Sequence, residues 1–86
     1  MLSQNEIKLF SECINYPERM YQEINENLDL NLSHVEIERF AKGIIKSIHT
    51  TIDDSDTYYH LKNETTLSIE LTIAKDDFRL VSVNWI

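Results

Sequence analysis

Glycine, proline and cysteine occur once each in this chain of 86 residues. One glycine cannot build a phosphate-cradling loop, which needs several backbone positions open to close approach. One cysteine, Cys13, excludes an intrachain disulfide framework and suits a reducing compartment. Histidine is scarce as well: His34, His49 and His60 lie far apart and show no metal-ligand spacing. Basic residues are in deficit, with eight Lys and Arg against fifteen Asp and Glu for a formal net charge of −7. That balance disfavours direct binding of DNA or RNA, which calls for a basic face. No apolar run approaches the roughly 18 residues of a membrane span. Asn5, Glu6 and Lys8 interrupt any signal-peptide core. A soluble cytoplasmic protein without cofactor or metal is expected, in which the sequons at Asn31 and Asn63 are chance matches.

What is present is periodic apolar content, 42% of the residues, on a length that fits a single domain over residues 1–86. Ser3 and Glu6 have the spacing of a capping box, and Leu2 and Ile7 that of a hydrophobic staple. Ile7, Phe10 and Ile14 share one face of the helix that follows, with Leu9 and Cys13 beside them. This places Cys13 on the core side, as a buried and inert thiol. Tyr16-Pro17 ends the helix, and Pro17 suits the first position of a second one carrying Met20, Ile24 and Leu28. Asn25, Asn27, Asp29 and Asn31 mark a polar connection.

Ser33 and Glu36 repeat the capping box, and Leu32 and Ile37 the staple. The third helix is expected over Ser33 to His49, with Ile37, Phe40, Ala41, Ile44, Ile45 and Ile48 as its apolar stripe. Gly43 inside it costs about 1 kcal/mol relative to Ala, which close packing against a neighbour would explain. Beyond Asp53-Asp54-Ser55-Asp56 the period becomes two. Tyr59 and Leu61, then Leu67, Ile69, Leu71 and Ile73, then Val81, Val83 and Trp85 read as three half-buried strands. Turns are expected at Lys62-Asn63-Glu64 and Lys75-Asp76-Asp77. Matching apolar faces pairs Leu71 with Val81, Ile69 with Val83 and Leu67 with Trp85. The same matching pairs Leu61 with Leu67 and Tyr59 with Ile69. The fold class is therefore α+β: three N-terminal helices, then a three-stranded antiparallel meander with the third helix packed on one face.

Few residues suggest chemistry. Asp53, Asp54 and Asp56 superficially resemble a calcium loop, but the sixth position from Asp53 is Tyr58 where an EF-hand needs glycine. No nucleophile–base pair can be assembled, so an enzyme is not expected. Tyr58, His60, Ser68, Glu70, Thr72, Leu80, Ser82 and Asn84 should point away from the helix-covered face. That mixture of aromatic, aliphatic and hydrogen-bonding groups suits recognition, unless the first two helices or a second copy cover it.

Two classes of function follow. The acidity points to a protein-binding inhibitor of the immunity-protein, antitoxin or anti-defence type, blocking a basic target such as a nuclease or another nucleic-acid-binding protein. In size and acidity the chain is similar to many bacterial immunity proteins and phage anti-defence proteins, a likeness of composition alone. The competing class is a small dimeric adaptor, regulatory subunit or secretion chaperone, whose acidity serves solubility. For the inhibitor, the expected partner surface joins Asp53, Asp54 and Asp56 to Tyr58, His60 and Glu70. Charge for steering would then lie beside an aromatic anchor.

Overall fold

Two reciprocal capping boxes set the starts of the first and third helices. In the computed structural model, which describes residues 1–64 and 68–86, α1 spans Gln4–Cys13, α2 Glu18–Leu28 and α3 His34–Lys46. Glu6 N–H donates to Ser3 Oγ at 3.1 Å, and Ser3 N–H donates to Glu6 Oε1 at 2.9 Å. Ser33 and Glu36 make the same exchange at 3.3 and 3.0 Å. Those bonds, with Arg39 nearby, hold the Glu36 carboxyl below its ordinary range.

Phe10 in α1 and Ile14, its C-cap, are buried, while Leu9 and Cys13, one helical turn apart on its flank, are exposed. The expectation of a buried Cys13 is thus overturned. In α2 the stripe Met20, Ile24 and Leu28 is buried as expected. Pro17 is its N-cap, at ψ 142, not its first helical residue. Asn25 and Asn27 lie inside α2, which stops at Asp29 in the left-handed region (φ 55). Asn25 nevertheless organises the connection, because its side chain exchanges two hydrogen bonds with the Leu32 backbone.

In α3, Ile37, Ala41, Ile44 and Ile45 are buried. The helix ends three residues short of His49, because Ser47 turns extended (ψ 140) and its carbonyl accepts from Thr50 N–H. Ile48 consequently falls in the turn, 67% exposed, rather than in the core. Gly43 does not mark close packing either, since a Cβ there would meet nothing within 4 Å.

The α+β class holds, but the sheet has four antiparallel strands in the order β1-β2-β3-β4 where three were expected. They are β1 Thr50–Asp54, β2 Tyr58–Glu64, β3 Ser68–Ala74 and β4 Leu80–Trp85. The first was hidden because its core-side positions are Thr50, Ile52 and Asp54, which leaves one aliphatic residue to signal a strand. Thr50 is fully buried all the same. Its hydroxyl donates to the Ile44 carbonyl and accepts from Asn63 Nδ2 at 3.0 Å. Asn63 therefore belongs to a strand interior, not to the turn expected at residues 62–64.

Register differs from the face-matching expectation. Leu61 pairs with Leu71 and Tyr59 with Ile73, and the expected Leu61–Leu67 and Leu67–Trp85 pairs involve Leu67, outside the described residues. Leu71 pairs with Val83 and Ile69 with Trp85. A bulge leaves Val81 unpaired between Thr72–Ser82 and Ile73–Leu80. The extra residue lets Leu80 and Val83 both face inward, so Leu80 is buried and Val81 half-exposed, the reverse of simple alternation. The loop at 75–79 is longer than expected because Phe78, at φ 57, and Arg79 join it; Phe78 N–H donates to the Ala74 carbonyl at 3.0 Å.

One apolar cluster joins Phe10, the α2 stripe and the α3 stripe to Leu61, Leu71, Ile73 and Val83. Phe10 meets the Tyr59 ring edge-on at 5.1 Å. The β4 edge is closed: Asn15 forms a parallel bridge with Arg79, accepting from Leu80 N–H and donating to the Phe78 carbonyl, both at 2.8 Å. Farther along, the Asn27 side chain reaches the Val83 carbonyl at 3.4 Å.

Candidate partner-binding site

Because β1 and β2 are joined at 55–57 and β3 and β4 at 75–79, a four-stranded meander brings both loops to the same end of the sheet. Lys75 N–H donates to the Thr57 carbonyl at 3.0 Å and ties them together. Within the first loop Ser55 N–H donates to the Tyr58 carbonyl, and Tyr58 N–H donates to Ser55 Oγ at 3.0 Å. Five aspartates gather at this end: Asp53, Asp54, Asp56, Asp76 and Asp77. Asp77 is held by Arg79, whose backbone N–H and guanidinium both reach it at 2.9 Å, and its carboxyl is kept below the usual range. Asp56 and Asp76 have no basic side chain within ion-pair distance among the described residues.

The sequence-derived site is brought together in part. Asp53, Tyr58, His60 and Glu70 share the face turned away from the apolar cluster, where Asp53 stands opposite His60 across the β1–β2 ladder. Asp53 accepts from Lys62 Nζ at 3.0 Å, which raises the Lys62 pKa. His60 Nδ1 lies 3.5 Å from Glu70 Oε1 and 3.4 Å from Thr72 Oγ1. The Tyr58 ring meets the His60 ring at 6.2 Å, edge to face. Of the residues expected to point outward, Asn84 is hydrogen-bonded to α2, through Asn27 at 3.3 Å. Asp54 does not join them. It points to the other face, 3.8 Å from Lys75, whose ammonium lies 5.0 Å over the Tyr59 ring.

Asp76 and Asp77 were missed although the expected meander already put the 75–77 turn at the end where the second strand begins, because the expected register set Tyr59 opposite Ile69. The observed Tyr59–Ile73 and Tyr58–Ala74 pairs bring the two loops side by side.

Two hollows open on the helical side. The larger, about 510 Å³, lies between the C-terminal half of α2 and His34. Beside it the Tyr21 and His34 rings stack at 3.8 Å, and Tyr21 OH donates to Glu38 at 3.1 Å. Tyr16 stacks on Tyr21, and burial, then Glu38, push its phenol up to about 12. The smaller hollow, about 360 Å³, runs along β1 beneath α1. Among the described residues, no three His, Cys, Asp or Glu side chains are grouped to hold a metal ion. No helix among them is long and apolar enough to cross a membrane. Comparison with protein-family models, curated proteins and solved structures gives no match to this chain.

Proposed function

We propose that this chain is a protein-binding inhibitor of the immunity, antitoxin or anti-defence type, working in the cytoplasm by occupying a basic surface of a target that acts on nucleic acid. The observation that carries this reading is the acidic end of the sheet. There two tied loops present Asp56 and Asp76 without internal counter-charge, next to the half-exposed Tyr58 and His60. A nucleic-acid-acting protein carries a positive path for phosphates. A cluster of carboxylates steers association to such a path, and an aromatic pair beside it supplies contact that resists dissociation. The partner surface in this reading comprises Asp53, Asp56, Tyr58, His60 and Glu70, with Asp54 contributing from the flank and Asp76 and Asp77 added.

The test is capture of partners from the native cell at low and moderate salt, followed by an assay of the captured protein on nucleic acid. A basic protein whose activity falls on stoichiometric addition of this chain supports the reading. A captured protein that is acidic, or that stays active when saturated, refutes it.

A dimeric adaptor, regulatory subunit or chaperone is favoured by a different observation. At the opposite end of the sheet Ile48, Trp85 and Ile86 are 67%, 47% and 59% exposed. If that end serves self-association, sedimentation at micromolar concentration will show a dimer, and Trp85→Ser will dissolve it.

A further inference from the structure

We infer that the free edge of β1 is a docking site that takes an extended, basic segment of the target as an added strand. This rests on the reading that the target is basic, and adds how it is held. The two edges of the sheet are treated differently. The β4 edge is closed by the Asn15 bridge and by Asn27, whereas β1 is the terminal strand on the other side. Ser55 N–H donates to the Tyr58 carbonyl, so that pair is of the hydrogen-bonded kind. Alternation along the antiparallel ladder then bonds Asp53 to His60 and Thr51 to Lys62. The N–H and C=O groups of Ile52 and Asp54 are left directed outward. No other backbone group among the described residues bonds to them.

Beside this row of backbone groups lies the hollow of about 360 Å³, lined by Glu6, Leu9, Ile52, Asp54 and Tyr59 among others. Leu9, at 42% exposure, is an apolar side chain facing that space without a cover. An added strand would turn alternate side chains into the hollow, where apolar groups meet Leu9 and Ile52. The intervening side chains would lie on the outer face, within reach of Asp53. The hollow's charged lining is Glu6, Asp53 and Asp54. Lys62 and Lys75 offset the two aspartates, and Glu6 has no basic side chain within ion-pair distance among the described residues. The negative charge that remains favours basic residues in the strand. It also argues against a second copy of this chain, because pairing β1 with β1 would set two edges of the same net negative sign against each other. Acidic side chains on a free edge also discourage indiscriminate strand pairing. Here they restrict the edge to a partner that neutralises them.

The test titrates the ¹⁵N-labelled full chain with an acetylated, amidated heptapeptide of alternating Lys and Val. Controls are the same peptide with Glu for Lys and one N-methylated on alternate residues. Saturable shifts and slowed exchange at the Ile52 and Asp54 amides are expected with the first peptide only. Loss of one strand hydrogen bond should weaken binding about tenfold for Asp54→Pro, and loss of more than one should weaken it further for the N-methylated peptide. Proline is tolerated on an edge whose N–H faces solvent, and the N-methylated peptide gives the same readout without altering the protein. The site is overturned by equal binding of the N-methylated peptide, by shifts centred on Tyr58, His60 and Glu70 or on α2, or by no saturable shift at Ile52 and Asp54. It is likewise overturned by a dimer of this chain that Asp54→Pro abolishes. A captured basic target bound undiminished by Asp54→Pro would remove the strand site and keep the inhibitor reading. Saturable heptapeptide binding at the edge, with no basic target captured, would do the reverse.

Discussion

Asp53 and Asp54 are adjacent in the chain yet point to opposite faces of the sheet, the first bonded to Lys62 at 3.0 Å and the second facing Lys75 at 3.8 Å. The split follows from the two-residue period of a strand. It means that a run of acidic residues in sequence is not one patch in space, and that each half carries its own counter-ion. Exposed pairs of this kind contribute little to stability. Their larger effect is on the field, since each lysine offsets a carboxylate that would otherwise attract a basic partner.

Lys62→Met is therefore expected to speed association with the captured target. A gain of roughly two- to threefold at low ionic strength is consistent with adding one unit of net negative charge beside the contact. Stopped-flow rates at matched salt measure it. A slower rate would mean that Lys62 itself touches the target.

Tyr58 is expected to act after encounter. Removing an aromatic anchor at a tight contact costs about 2 kcal/mol or more, so Tyr58→Ala should raise the dissociation rate at least about thirtyfold while association changes little. Surface-bound dissociation traces separate the two rates.

Two isoleucines four residues apart, one inside α3 and one past its end, should behave oppositely. Ile44 is buried at 8% exposure, and Ile48 is 67% exposed beyond the helix end. Ile44→Ala should cost roughly 2–5 kcal/mol, and Ile48→Ala less than about 0.5 kcal/mol. Urea denaturation of both variants checks the pair. Similar costs would contradict the early end of α3.

The Tyr16 hydroxyl is buried and makes no hydrogen bond among the described residues. Replacing an unsatisfied buried group with an apolar one of the same shape is near neutral or stabilising, so Tyr16→Phe should be at least as stable as the parent at pH 7. The phenol holds its proton to about pH 12 when folded, against 10.0 as the ordinary value. Its contribution is thus fully present below pH 10 and is lost as pH rises through that window. Tyr16→Phe should flatten the alkaline fall in stability, with a residual slope from Tyr21, whose pKa is raised by burial and by its bond to Glu38. Denaturation midpoints between pH 9 and 12 measure the difference.

The helices were legible because capping and burial signals agree there: Ser3 with Glu6 and Ser33 with Glu36 fix two starts, and Met20, Ile24 and Leu28 fix a face. The sheet was legible only where its strands alternate cleanly, as in Ile69, Leu71 and Ile73. Periodicity could not find β1, whose buried Thr50 is satisfied by the Ile44 carbonyl and by Asn63 rather than by apolar contact. Nor could alternation anticipate a bulge, so Leu80 and Val81 exchanged roles. For the candidate site, Tyr58, His60 and Glu70 were placed on one face correctly because that depends only on parity in β2 and β3. Asp76 and Asp77 depended on register, since the expected Tyr59–Ile69 pairing carried their turn past the start of β2, whereas the observed Tyr59–Ile73 pairing sets it beside the 55–57 loop.

The most direct measurement of the central claim is the association rate of the captured target with the parent chain and with the variant in which Asp53, Asp54 and Asp56 are all changed to Asn, across ionic strength. Electrostatic steering predicts a parent rate that falls steeply with salt. The variant rate should be roughly three- to tenfold lower at low salt, flatter in its salt dependence, and convergent with the parent once screening is complete. Parallel curves of equal height for parent and variant would contradict it, and would move the contact away from the acidic end of the sheet.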